Sequence, residues 1–336
     1  MALRLIEISV PEKDQEAAVL LLKDAAVISV WRQELSEGHA LCRVLVTAEA
    51  VEALLDRLSA RYGSTEGFRA ILLSVEAAIP RQEEPEQSVD GSATAPEPPA
   101  RPARISREEL YAGINESSRL TVIFLVMVTL STVVAIIGQI RNNMAVEIGA
   151  MVLAPLLGPN IALSLATTLA DVELARRALK AAVAGFATAL AISVLTAFVF
   201  AVDPASPEIA SRTHVGLGDV GLALASGVAG ALAFTSGVSA ALVGVMVAVA
   251  LLPPLVTFGL LLGAGHPHLA IQAGLLLLTN LICVNLAGVV TFMVQGVRPI
   301  SWWEASRART ATRFAILLWA AMLLALVSAL ILSRRP

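Results

Sequence analysis

Hydrophobic positions follow two different patterns along the chain, with the change near residue 118. Before it, apolar residues alternate with polar ones or recur at three- and four-residue spacing. After it, apolar residues continue almost without interruption for stretches of about 20 residues, the length a helix needs to cross a bilayer. The first pattern predicts strands and amphipathic helices outside the lipid, and the second predicts transmembrane helices.

The first part of the chain predicts an α+β domain over residues 1–79. Alternating segments predict strands over 3–10, 27–35, 39–47 and 68–79, and helical spacing predicts helices over 13–25 and 51–63. The resulting order β-α-β-β-α-β is that of a ferredoxin-like domain. Such domains often bind small ligands, but a fold does not assign that role, so a ligand of this domain stays an open expectation.

Two short segments connect this domain to the apolar part. Residues 80–104 are rich in Pro, Glu and Ala and carry almost no large apolar side chain, which predicts a disordered linker. Residues 105–118 place Ile105, Leu110 and Ile114 on one side of a helix and charged residues on the other. That pattern predicts an amphipathic helix lying on the membrane surface.

Charged residues delimit the predicted spans within 119–336. Uncharged runs cover 120–140, 148–170 and 181–202, and a run without Asp, Glu, Lys or Arg covers 220–297. The last run is long enough for three spans, with turns near 236–239 and 263–268, and a final span is predicted over 314–333. The fold class is therefore an α-helical polytopic membrane protein with seven spans.

Composition and charge agree with a multi-pass protein of an inner membrane. The chain is 57% hydrophobic and only 15% charged, which is too apolar for an ordinary soluble domain. It begins without a recognisable secretory signal, and Lys and Arg are most frequent in the loops that a cytoplasmic N-terminus would place inside. The formal net charge of −3 gives no reason to expect a nucleic-acid partner. The expected partners are the bilayer and a small solute or ion, and assembly into a homo-oligomer remains open.

An internal repeat relates the second predicted span to the fifth. The segment GAMVLAPLLGP, residues 149–159, matches GVMVAVALLPP, residues 244–254, at six of eleven positions. The copies lie three crossings apart and would therefore run in opposite directions. This predicts 3+3 inverted repeats followed by one additional span.

Both copies carry prolines where a spanning helix is expected to be continuous. Proline removes a backbone donor, and an unsatisfied backbone group survives in a membrane only inside a bundle or beside a water-filled cavity. Paired interruptions at matching depths of inverted repeats are typical of transporter binding sites. Two half-helix N-termini converging there would favour an anion. Carbonyls freed upstream of each break could also hold a cation. The predicted function is therefore transport or conduction of a small solute, for which an anion is one expectation, without enzymatic activity.

The candidate pathway residues are the interruptions and the polar groups predicted near them. Asn280 and Asn285 either line a pathway or bond across helices, and Glu147 either is a solvated flank or acts in a cavity. No cofactor or metal is predicted, because two cysteines and two neighbouring histidines give no ligand set. The candidates are Gln139, Glu147, Pro155, Gly158, Pro159, Asn160, Pro253, Pro254, Asn280 and Asn285.

Several of these segments resemble a known family. REELY before the first span, EIGAMVLAPLLGPNIALSLATTLAD, ALASGVAGALAF, GVMVAVALLPPL and LLLTNLICVNLAGVVTF are similar to the prokaryotic membrane proteins grouped as domain of unknown function 389. The resemblance covers most of residues 105–298 and implies the same membrane architecture, including a cytoplasmic N-terminal domain. It implies no substrate.

Two functions of other classes remain as alternatives. A membrane-tethered sensor or scaffold would bind its ligand in the N-terminal domain. An intramembrane aspartyl protease would use Asp219 of the sequence GLGD together with Asp203, two carboxylates sharing one proton. Both aspartates fall at the edges of their predicted spans, which disfavours the protease.

Overall fold

The computed structural model describes residues 3–12, 27–34, 38–75, 105–236 and 240–297, and the isolated positions 317, 319, 321 and 324. Within 240–249 the backbone is described and the side chains are not. The chain divides into two compact units, residues 1–110 and 111–336.

The first unit contains a four-stranded antiparallel sheet. Its strands are β1 (Leu3–Pro11), β2 (Val27–Glu34), β3 (His39–Thr47) and β4 (Arg69–Val75), in the order β2-β3-β1-β4. This order and these pairings agree with the predicted ferredoxin-like arrangement. The helix predicted over 13–25 and the end of the last strand, 76–79, lie outside the described residues.

Alternation along the central strands forms the core of this unit. Ile6, Ile8 and Val10 of β1 are fully buried, and the residues between them are partly exposed, as the two-residue period of a strand requires. Helix α1 (Ala48–Tyr62) buries Leu54 and Leu58 in the same cluster. Such a sheet with one covered face explains why the alternating pattern predicted these elements well.

The second unit is helical. Helix α2 (Arg107–Ser117), across which the division between the units falls, precedes α3 (Val122–Ile140), α4 (Met144–Leu153), α5 (Leu157–Leu169) and α6 (Val172–Ala197). The short helix α7 (Pro207–Ala210) and a 3₁₀ turn (Ser211–Thr213) follow. The chain continues with α8 (Leu217–Ser236), α9 (Ala240–Gly263) and α10 (Pro267–Val294).

Among the described residues, four helices are long and apolar enough to cross a membrane: α3, α6, α8 and α10. The bent pair α4–α5 makes a fifth if it is counted as one span. These helices expose large apolar side chains, including Val122, Val183 and Leu195, to the surroundings of the protein. Such a surface suits hydrocarbon, and the protein is a membrane protein. The span predicted over 314–333 lies outside the continuously described residues, so the sevenfold count stays a prediction.

The first proline-containing copy is interrupted. Helix α4 ends at Leu153 and α5 begins at Leu157, and their axes differ by 52°. Ala154 is extended, with φ −72° and ψ 115°, because the residue before a proline avoids the helical region. Pro159 does not break the chain, since it lies in the first turn of α5, where its missing N–H costs no intrahelical bond.

The second copy is not interrupted, and the prediction of paired breaks is wrong in this respect. Pro253 and Pro254 both lie inside the continuous helix α9. In the aligned segments Ala250 occupies the position that Pro155 has in the first copy, directly after the extended residue that follows α4. The second copy therefore lacks the proline that forces the extended backbone.

Helix α9 occupies the centre of the described bundle. It contacts α3, α4, α6, α8 and α10. Leu252 and Leu255 of α9 share a buried cluster with Ala154 and Leu156 at the α4–α5 break. The two copies of the repeat therefore pack against each other, although only one of them is broken.

Helix α6 starts nine residues before the predicted third span. Asp171 caps it by accepting a hydrogen bond from the backbone N–H of Leu174 at 2.9 Å. The same carboxylate accepts a hydrogen bond from the Tyr111 hydroxyl at 2.8 Å. This contact joins the REELY segment to the TTLAD segment, two of the segments that carry the family resemblance.

Candidate functional site

The Glu147 carboxylate lies in the first turn of α4 and is completely buried. Asn143 caps this helix through its side-chain oxygen, which fixes the orientation of the first turn. One carboxylate oxygen accepts a hydrogen bond from Gln139 Nε2 at 3.0 Å, and the other pairs with Arg212 Nη2 at 2.7 Å. A buried carboxylate without these partners would be strongly destabilising.

Arg212 reaches Glu147 from the segment between α6 and α8. It also pairs with Glu208 through Nη1 at 2.9 Å and donates to the Glu208 backbone carbonyl. The segment is attached to the turn after α3, because Asn142 Oδ1 accepts a hydrogen bond from the Glu208 backbone N–H at 3.1 Å. Asn142 adopts a left-handed backbone with φ 52°, a conformation that asparagine tolerates better than most residues. The loop therefore has a defined position over Glu147.

Gln139 connects this ion pair to the backbone of α9. Its Nε2 donates both to Glu147 and to the Pro253 carbonyl at 3.0 Å, and its Oε1 accepts from the Thr257 hydroxyl at 3.1 Å. Gln139 and Thr257 are fully buried. We call Gln139, Glu147, Glu208, Arg212 and Thr257 the Glu147 network.

Gly138 lets α3 and α4 come close enough for the Glu147 network to form. A Cβ atom at this position would lie 2.9 Å from the Glu147 backbone nitrogen and 3.1 Å from its Cα. Backbone atoms cannot give way as a flexible side chain can, so a larger residue would separate the two helices. The separation would lengthen the bond between Gln139 and Glu147.

A second polar cluster joins α5 to α10. Asn285 Nδ2 donates to Asn160 Oδ1 at 3.3 Å. Ser164 Oγ lies 3.3 Å from both the backbone and the side-chain oxygen of Asn285 and can donate its one proton to either. Asn160 Nδ2 also donates to the Leu156 carbonyl at 2.8 Å, just after the break. We call Asn160, Ser164 and Asn285 the Asn160 network.

Asn280 satisfies a carbonyl that a proline leaves without its helical donor. The Ala250 carbonyl would normally accept from the N–H of residue 254, but Pro254 has none. Asn280 Nδ2 donates to this carbonyl instead, at 2.7 Å. Gln139 and Asn280 thus contact carbonyls of the Pro253–Pro254 stretch from two different helices, α3 and α10.

The structure brings most of the predicted pathway residues into these three arrangements. The Glu147 network contains Gln139 and Glu147 and contacts the Pro253 carbonyl through Gln139. The Asn160 network contains Asn160 and Asn285. Pro254 leaves the Ala250 carbonyl to Asn280. Pro155 lies in the break between α4 and α5, and Gly158 lies in the first turn of α5. A Cβ atom at Gly158 would collide with the Ser117 carbonyl, so this glycine permits close packing of α5 on α2.

The sequence reasoning missed Arg212, Glu208 and Thr257. The separation of Arg212 from Glu147 along the chain hides their contact. One signal was present: Glu147 is an acidic residue at the edge of an apolar run, and Arg212 is a basic residue between two predicted spans. Complementary charges at one membrane face are candidates for pairing.

The two aspartates considered for proteolysis have local structural roles. Asp203 accepts from the Ala205 backbone N–H at 2.9 Å, and Asp219 accepts from the Gly216 backbone N–H at 2.7 Å. His266 and His268 are exposed next to the start of α10. In the described part of the chain, no three His, Cys, Asp or Glu side chains are grouped as metal ligands would be.

Comparison with known proteins places the chain in a family. Residues 151–286 match the family model described as domain of unknown function, DUF389. The chain is 35% identical over 298 residues to an uncharacterized protein of Methanocaldococcus jannaschii, MJ0678, and the match covers 88% of this chain and 89% of that protein. No solved structure matches. The predicted resemblance is confirmed, and the chain belongs to the family of domain of unknown function 389.

Proposed function

We propose that this protein moves a small ion or solute across a prokaryotic inner membrane, along a pathway that includes the Glu147 network. The observation that supports the proposal most strongly is the completely buried Glu147 carboxylate, paired with Arg212 inside a bundle of apolar helices. Ionisable groups at such positions are rare in membrane proteins and usually serve transport.

Stability alone does not account for this arrangement. Replacing a buried ion pair by well-packed apolar side chains is often neutral or stabilising, because desolvation offsets the attraction between the charges. The chain nevertheless places Glu147, Arg212 and Glu208 together and connects them to Gln139 and Thr257. Function is the better explanation for retaining such a network.

The backbone of α9 adds to this support. Two adjacent prolines in the middle of the helix leave carbonyl groups without helical donors, and side chains of α3 and α10 contact this stretch. Membrane transporters use freed backbone carbonyls of this kind to bind ions and substrates at mid-depth. The pathway we propose passes between the Glu147 network and the Pro253–Pro254 stretch.

The charges of the network favour a cation or proton over an anion. Glu147 and Glu208 supply two carboxylates against the single guanidinium of Arg212, which leaves one formal negative charge in excess. The expected preference for an anion depended on two helix N-termini converging at two breaks. Because α9 is continuous, only the α5 N-terminus remains of that argument.

Flux into proteoliposomes containing the purified full-length protein tests the proposal. The panel contains monovalent cations, protons and small anions, each driven by a defined gradient. We expect flux of at least one cation, with a loss of tenfold or more in Glu147→Gln and unchanged flux in Gly149→Ala, whose added methyl meets no atom within 4 Å. Equal flux in the wild type and Glu147→Gln would contradict the proposed pathway. No flux for the whole panel, together with a ligand-dependent thermal shift, would support a sensor instead.

A further inference from the structure

The middle of α9 carries two successive carbonyl groups that lack their helical donors. Pro254 has no N–H for the Ala250 carbonyl, and Pro253 has none for the carbonyl of residue 249. Ala250, Leu251 and Leu252 are all buried, so bulk water does not replace these donors. The carbonyl of residue 249 therefore lacks its helical donor, and the Ala250 carbonyl relies on a donor from another helix.

Asn280 adds a further oxygen to these two carbonyls. Its Nδ2 donates to the Ala250 carbonyl at 2.7 Å, and because that neighbour can only accept, the amide orientation is fixed. Its Oδ1 is buried and has no hydrogen-bond partner among the described residues. An acceptor in this state is costly to leave unsatisfied, so this oxygen is available to bind a ligand.

The available groups select the chemistry of the ligand. They offer uncharged oxygens: Asn280 Oδ1, the carbonyl of residue 249 and the second lone pair of the Ala250 carbonyl. Hard oxygen ligands suit alkali and alkaline-earth cations, and an uncharged ligand set suits a monovalent ion better than a divalent one. Broken or interrupted membrane helices bind Na⁺ through such carbonyls.

We propose that Asn280 and the two carbonyls freed by Pro253 and Pro254 form a Na⁺ site. The ion binds Asn280 Oδ1, the amide atom that no described hydrogen bond uses. Under the proposed function this ion is the coupling or transported cation, and only that role rests on the proposed function. The binding site itself rests on the geometry of α9 and α10.

Na⁺ binding to the purified full-length protein in detergent tests this site without any flux measurement. We expect NaCl to raise the unfolding midpoint by at least about 2 °C over choline chloride at equal ionic strength, with a smaller rise in KCl. Equilibrium binding of radioactive Na⁺ should saturate near one ion per chain. Asn280→Leu should abolish both signals. Gln272→Leu is the matched control, because Gln272 lies on the same helix and its side chain is exposed, so this variant should retain the Na⁺ effect.

Asn280→Asp tests the same site if the leucine variant does not fold. The aspartate retains one oxygen, adds a negative charge and replaces the Nδ2 donor by a second oxygen that faces the Ala250 carbonyl. A bound cation relieves the repulsion between these oxygens, so the dissociation constant for Na⁺ should fall about tenfold or more. An unchanged constant would overturn the proposal, as would a wild-type protein that responds equally to Na⁺ and choline. A protein that binds Na⁺ but shows no flux would refute the proposed transport and leave the site intact.

Discussion

Removing Arg212 should destabilise the protein much more than neutralising its partner Glu147. In Arg212→Gln the completely buried carboxylate of Glu147 loses the cationic partner that it has among the described residues and keeps its hydrogen bond from Gln139. Glu208, also buried, loses its partner as well. In Glu147→Gln, by contrast, Arg212 keeps its pair with Glu208, and its side chain remains 14% exposed.

The expected magnitudes follow from this asymmetry. Breaking a buried ion pair so that one charge is left uncompensated costs about 3–5 kcal/mol, which we expect for Arg212→Gln. Glu147→Gln leaves no unpaired buried charge and preserves the shape of the side chain, so a cost of about 1 kcal/mol is expected, the net value of a typical hydrogen bond. The double variant should be more stable than Arg212→Gln alone, since it removes the unpaired Glu147 charge.

Equilibrium unfolding in mixed detergent micelles measures these differences for the wild type, the two single variants and the double variant, which together form a double-mutant cycle. The interaction free energy between positions 147 and 212 should be at least about 2 kcal/mol, well above the error of additivity for independent sites. Arg212→Gln and Glu147→Gln of equal stability, or a double variant equal to the sum of the two, would refute the reasoning. Such a result would mean that the two side chains do not form a buried pair.

The remaining predictions concern packing and reactivity. Gly138→Ala should destabilise the protein by about 1–3 kcal/mol in thermal unfolding, because its methyl group meets the backbone of α4. Gly149→Ala should be neutral or slightly stabilising, because its methyl group meets no atom. Equal effects of the two variants would contradict the close approach of α3 and α4. Leu54→Ala should cost about 2–5 kcal/mol in unfolding of the N-terminal unit, since this side chain is fully buried, and a cost under 1 kcal/mol would contradict its core position. Burial raises the pKa of the Cys42 thiol, so less thiolate is present at pH 8 than in an exposed cysteine. Alkylation of Cys42 should therefore be slow at pH 8, and its rate should rise as the pH approaches the raised pKa. Fast labelling of the folded protein at pH 8 would contradict this.

The sequence predicted the N-terminal sheet well because one face of that sheet is buried. Strand β3 was predicted at its observed bounds, His39–Thr47, and β1 extends one residue further than predicted. Strand β2 begins where it was predicted and β4 begins one residue later, while their predicted ends lie outside the described residues. Alternation with a two-residue period specifies both the strand and its buried face. The pairing of strands that are distant in the sequence could be inferred from the order of the elements, since few sheet topologies are compatible with that order.

The apolar part was predicted less completely, because hydropathy marks lengths and not interruptions. The turns near 236–239 and 263–268 agree with the ends of α8 and α9, and the break after α4 agrees with the position of Pro155. The break expected at Pro253–Pro254 is absent, since a proline within a buried helix can be accommodated when another side chain satisfies the freed carbonyl, as Asn280 does. No local pattern announces such a distant partner.

The candidate site was predicted in its residues but not in its connections. Gln139 and Glu147 were identified from their polarity in an apolar setting, and the structure places both in one hydrogen-bonded network. Arg212 was missed because its contact with Glu147 depends on how the segment after α6 folds over α4. Pairing of charges across such distances follows from tertiary structure, which a single sequence pattern does not encode.

Transport through the Glu147 network is tested most directly by currents from proteoliposomes on a solid-supported membrane. Concentration jumps of Na⁺, K⁺ and protons are applied to the wild type, Glu147→Gln and Gly149→Ala, each reconstituted at the same density. The proposal predicts a cation-dependent current in the wild type and Gly149→Ala that is at least tenfold smaller in Glu147→Gln. Currents of the same size in all three proteins, or none in any for the whole panel of ions and solutes, would contradict it.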